Sequence, residues 1–178
     1  KMMSSGLRVH HLQYPWRPGG LAPMLEAAGV AHVLAEEDAR RLAASGLGMV
    51  RIGEGDLDRL LQSLGQPATH IDAWYGQTYD WREVHSVRDT RTSWAIASSG
   101  RVYRLTSGKL VLQLRSWTVM MEDGPHMSLE VLPVFDRSRS NSLTSLIGQE
   151  PFVGERFTDA LCALEIDVGY AYIVFPVE

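Results

Sequence analysis

The chain has 178 residues, 45% hydrophobic and 21% charged, with a net charge of −4. That is the composition of one globular domain with a real core, and it excludes a disordered chain. The acidic balance argues against a partner bound through a phosphate backbone, and a single cysteine, Cys162, excludes an internal disulfide or a multi-cysteine zinc site.

No apolar run reaches the 18 residues of a membrane-spanning helix. Two lysines against fifteen arginines is the skew of a GC-rich bacterial coding sequence. The sequence starts at Lys1, so a signal or anchor could precede it. The compartment stays open between bacterial cytoplasm and envelope.

Leu7 to Tyr14 reads as a strand with Leu7, Val9 and His11 on one face and Arg8 and His10 on the other. Leu21 to Ala28 predicts a short helix and Val30 to Leu34 a brief strand. Ala35 to Ser45 carries acids first and arginines after, a helix matched to its macrodipole. Met49 to Ile52 predicts a strand. Asp56 to Leu64 places Leu57, Leu60, Leu61 and Leu64 on one helical stripe.

From Thr69 the period shortens to that of strands. Thr69 to Thr78, Trp81 to Val87, Ser93 to Ser98, Arg101 to Thr106, Lys109 to Met121 and Met127 to Phe135 follow with short glycine-containing links, the pattern of a β-meander. Asp136 to Gly148 is rich in serine and arginine and reads as a flexible loop. Phe157 to Ile166 predicts a short helix. Val168 to Val177 predicts a last apolar strand inside the sheet, ending at Pro176. The fold class is α+β. A mainly antiparallel sheet carries helices from a helix-rich layer (1–65), the meander fills 69–135, and a short helix with a final strand fills 149–178.

The longest hairpin raises a question of faces. With Met121 opposite Met127, Val119 meets Leu129 and Trp117 meets Val131, so six apolar residues share one face near the tip. The base instead shows Leu110, Leu112 and Leu114 on the other face. Two readings compete: the domain's own helices cover this tip, or Trp117, Val119, Met121, Met127, Leu129 and Val131 bury against a partner chain.

Motifs for chemistry are missing. There is no G-x-S-x-G, no phosphate-binding G-x-x-x-x-G-K and no H-E-x-x-H, so no catalytic residue is assigned and no cofactor is expected. The glycines of GLGMVRIGEG follow a helix and lead into a strand, the reverse of a dinucleotide loop. Cys162 lies among apolar residues and reads as a small buried hydrophobe. Acids near Glu36 and Asp56 serve their helix starts.

Two clusters carry weaker alternatives. Pairing of Thr69 to Thr78 with Trp81 to Val87 would bring His70, Asp72 and His85 together as an open metal site, suited to a metal-dependent hydrolase. Trp74, Tyr75, Gln77, Tyr79 and Trp81 could form an aromatic platform for a glycan or peptide. The leading expectation is a non-enzymatic interaction or structural module of a bacterial assembly, using the hairpin tip toward a protein partner or a second copy, with no nucleic acid.

Overall fold

A computed structural model of the chain describes residues 6–15, 21–87, 94–105, 108–122, 124–137 and 154–177. Three short helices come first: α1 (Ala22–Ala27), α2 (Glu36–Ala44) and α3 (Glu54–Leu64). The acids of α2 lie in its first turn and Arg41 in its last. Pairs Glu36–Arg40 and Glu37–Arg41 run along its exposed side, small additions to its stability. In α3 the leucine stripe is the inner face: Leu60 and Leu64 are buried, and Leu57 and Leu61 pack beside them.

The strands interleave with these helices. The N-terminal half supplies β1 (Leu7–Gln13), β2 (Ala31–His32), β3 (Leu47–Gly53), β4 (Thr69–Gly76) and β5 (Thr78–Val87). The remainder supplies β6 (Trp94–Ser98), β7 (Arg101–Leu105), β8 (Lys109–Met121), β9 (Gly124–Asp136), β10 (Gly154–Arg156), β11 (Cys162–Ile166) and β12 (Tyr170–Pro176). Antiparallel strands dominate, with a few short helices, so the α+β class holds.

A three-stranded sheet, β12-β3-β2, forms the middle layer. β3 is buried on both faces because its side chains alternate between two cores. Val50 and Ile52, with Ile173 and Phe175 of β12, face Leu25 of α1 and the leucines of α3. Met49 and Val174 face the other way, toward Leu42 of α2 and the larger sheet. The expectation that the last strand lies inside a sheet is corrected here: among the described residues β12 pairs only with β3 and forms an edge. Its apolar run answers to the layers above and below it, not to strands on both sides.

The larger sheet runs β10-β9-β8-β5, and β11 also pairs with β9. β8 and β9 pair along their full length. β10 covers the outer edge of β9 near its base, opposite Val134 to Asp136, and β11 covers it from Val131 to Met127. The expected helix over Phe157 to Ile166 is therefore corrected to a 3-10 turn, Thr158–Ala160, followed by a strand. Cys162, Leu164 and Ile166 point into the core, while Ala163 and Glu165 point out, a period of two. Much of the expected Asp136 to Gly148 loop, from residue 138 onward, lies outside the described residues.

The strand order also differs from a plain meander. β4 pairs with β1 and not with β5, and β5 pairs with β8. A single residue, Gln77, separates β4 from β5, too few for a two-residue hairpin turn. Gly76, at φ 60°, instead turns the chain out of one sheet and into another. β6 and β7 form their own hairpin, whose Ile96 and Tyr103 pack on Phe135 and Phe157 at the base of β8–β9.

Candidate functional site

The register of β8–β9 decides which side chains meet at its tip. Met121 pairs with Gly124, so only two residues separate the paired ends. The expected pairing of Met121 with Met127 is off by three residues. An odd shift moves one arm's side chains to the other face. Trp117, Val119 and Met121 therefore lie opposite Ser128, His126 and Gly124. Leu129 and Val131 lie on the other face and are core residues, packed with Leu114 and Cys162. Met127, half-buried, shares that face opposite Thr118.

The matched change of face on both arms is thus not found. β9 does not switch: Val131, Leu132, Pro133, Val134 and Phe135 are all buried, filling cores on both faces. Only β8 switches, from Leu110, Leu112 and Leu114 to Trp117, Val119 and Met121. The physical cause lies in what flanks each strand. The base of β8–β9 is covered on one face by Trp81 and Leu161 and on the other by Phe157, α2 and β3. Beyond Ser116, β5 no longer accompanies β8.

The tip that remains is apolar and open. Val119 is 37% exposed, Met120 76% and Met121 45%. The outer edge of β8 from Trp117 to Met121 has no strand partner among the described residues. Below it, the Arg115 guanidinium lies between two indoles, 4.7 Å from the Trp81 ring centre and 5.3 Å from that of Trp117. Glu130, directly across on β9, forms an ion pair with Arg115 and fixes it there. Arg115 and Met120 escape sequence reasoning. Met120 lies off the Trp117 row, and the stacking of Arg115 depends on a β5 pairing that no local pattern announces.

Four of the six histidines fall into two pairs, one on each face of β1–β4. On the outer face, His10 Nδ1 lies 3.2 Å from His70 Nε2 and 3.8 Å from Asp72. Arg8 makes a two-pronged contact with Asp72. That hydrogen bonding, chiefly, holds the Asp72 carboxyl below its ordinary value. On the inner face, His11 lies against His85 of β5, with ring centres 4.2 Å apart and ring planes tilted by 59°. The expected trio of His70, Asp72 and His85 is corrected: His70 and Asp72 meet, and His85 belongs to another sheet. Among the described residues no group of three or more His, Cys, Asp or Glu side chains is placed to hold a metal ion.

The aromatic cluster is likewise divided. Trp74 is exposed on the outer face of β4, and Tyr79 is exposed on β5, where its hydroxyl reaches Gln77 Oε1 at 3.4 Å. Tyr75 is half-buried, and Trp81 is committed to Arg115. The five residues do not build one platform.

A cleft of about 460 Å³ lies between α2, the β6–β7 turn and the 3-10 turn, lined by Arg41, Ser98, Ser99 and Asp159. Asp159 accepts hydrogen bonds from the Ser99 hydroxyl and amide and from the Ser98 hydroxyl, which hold its carboxyl below its ordinary value. Ser99 has φ 51°, a strained value for a residue with a side chain. The carboxylate therefore braces a turn through Oδ2. Cys162 is buried, and burial first, then nearby Asp38, push its thiol up to about 11, away from nucleophile chemistry. No described helix is long and apolar enough to cross a membrane. Comparison with known protein families, with curated proteins and with solved structures finds no match for this chain.

Proposed function

We propose that this chain is a non-enzymatic interaction module whose contact surface is the free end of the β8–β9 hairpin. The observation that carries the reading is the coincidence of an open strand edge with exposed apolar side chains. Val119, Met120 and Met121 are exposed where β8 has lost its β5 neighbour. Methionine and tryptophan are enriched in interface cores, and arginine held between aromatics is typical of residues that dominate binding energy. An open edge also takes an added strand through main-chain hydrogen bonds, with alternate side chains giving selectivity. The partner is a second copy of this chain.

Light scattering across a concentration series tests the reading. The native chain is expected to assemble, and a Val119→Asp, Met120→Asp double variant to remain monomeric with an unchanged circular dichroism spectrum. These positions are exposed, so the variant keeps its core. A native chain that stays monomeric at every concentration would sink the proposal.

A further inference from the structure

We infer that the β1–β4 ribbon is an acid-released element, seated on the larger sheet while its histidines are neutral and freed when they take up protons. Among the described residues the ribbon shares no hydrogen-bonded ladder with any other strand. A two-stranded ribbon is marginal by itself in water, so its order depends on what its side chains touch. Those contacts are few. Leu7 and Val9 pack beside Leu114 and Leu129, the Ser116 hydroxyl donates to Gly76 O at 3.4 Å, and His11 lies against His85.

Four of the chain's six histidines lie in the two pairs that flank this ribbon. In each pair two imidazoles are in contact, so charging both rings would place like charges side by side. The 3.2 Å contact between His10 Nδ1 and His70 Nε2 is a hydrogen bond only while one nitrogen is a bare acceptor; two charged rings present donor to donor. The His11–His85 pair joins ribbon to sheet, so charging both rings pushes the two apart. His85 Nδ1 is buried with no hydrogen-bond partner among the described residues. Burial, then His11, holds its pKa below the ordinary histidine value.

The surrounding charges do not cancel the second proton. Glu83 favours a charged His85, but Lys109 Nζ engages that carboxylate at 2.9 Å. The ribbon residues paired with Val9 and His11 are Ala73 and Ile71, and the β8 residue paired with His85 is Leu112; none bears charge. Outside, Asp72 lies near His10 and is bound by Arg8. Each histidine pair thus has one carboxylate, and each carboxylate already has a cation. Acid acts twice: on the seat of the ribbon through His11–His85, and on its own pairing through His10–His70.

Amide hydrogen exchange at pH 7.5 and 5.5, corrected for intrinsic rates, tests this. Leu7–Gln13 and Thr69–Gly76 are expected to exchange about tenfold faster or more at pH 5.5, while β8–β9 amides keep their protection. His85→Gln should weaken the pH response of the ribbon, leaving the part carried by His10–His70. If that variant folds poorly, His11→Gln, at the ring that faces it, should do the same. Unchanged ribbon protection at pH 5.5 would overturn the inference. So would parallel loss in β8–β9, or a pH response that neither substitution weakens.

Discussion

β8–β9 and β1–β4 are both antiparallel ribbons, yet one is embedded and the other merely rests on its neighbour. β9 is flanked by β8 on one edge and by β10 and β11 on the other, and its Val131 to Phe135 segment fills cores on both faces. Among the described residues β1–β4 has no lateral partner; it exposes Ile71 and Trp74, and it meets the larger sheet through Leu7, Val9, His11 and a hydrogen bond from the Ser116 hydroxyl to Gly76 O. Identical backbone geometry thus conceals two sources of order. Hydrophobic burial in the first does not depend on pH. The seat of the second includes His85, whose pKa burial and His11 hold below the ordinary histidine value.

The largest expected effect tests the embedded ribbon. Leu132→Ala should cost about 2–5 kcal/mol, read from the shift of a urea unfolding curve, because its site is closed on all sides. A loss below about 1 kcal/mol would mean the base of β9 collapses around the gap and the contrast is overstated.

Next comes the turn. Gly124 sits at φ 131°, where a side chain is strained, so Gly124→Ala should cost about 1–3 kcal/mol and weaken the register that sorts the tip residues. Calorimetry on the variant measures this.

The third effect separates the ribbons by pH. Burial and His11 lower the pKa of His85 in the folded chain, so the unfolded chain takes up the proton first. Stability should be flat above pH ~6.5 and fall as acidity increases below it, toward the folded pKa. Urea midpoints between pH 8 and 5 would show this, and His85→Gln should remove part of the slope.

The smallest effects belong to exposed positions on each ribbon. Ile71→Ala and Met120→Ala should each change stability by no more than about 0.5 kcal/mol. If Ile71→Ala cost as much as Leu132→Ala, the ribbon would be embedded too, and the comparison would break.

Elements with a strong local period were readable before any coordinates. The leucine stripe of α3, the charge order of α2 and the strand at β3 all follow from neighbours in sequence. So does the reach of β8 from Lys109 to Met121. Failures arose where distant chain decides. Leu161, Leu164 and Glu165 fit a helical spacing as well as a strand, and only the open edge of β9 selects the strand. Gly124, Pro125 and His126 look like loop residues, yet a two-residue link draws them into β9 and moves Leu129 and Val131 from the expected surface into the core. Half of the expected tip, Trp117, Val119 and Met121, kept a common face because it depends on β8 alone. His85 parted from His70 because a one-residue link cannot make a hairpin.

The divided edge of β9 has a consequence for how the chain is made. Its long arm can zip against β8 as soon as both have emerged. The two strands that seal its far side come later in the sequence, separated by a 3-10 turn. Until they arrive, β9 offers naked main chain to any passing extended segment. Synthesis halted before Cys162 would therefore yield a sticky, aggregation-prone product, and β11 is the stopper that closes the far part of this edge.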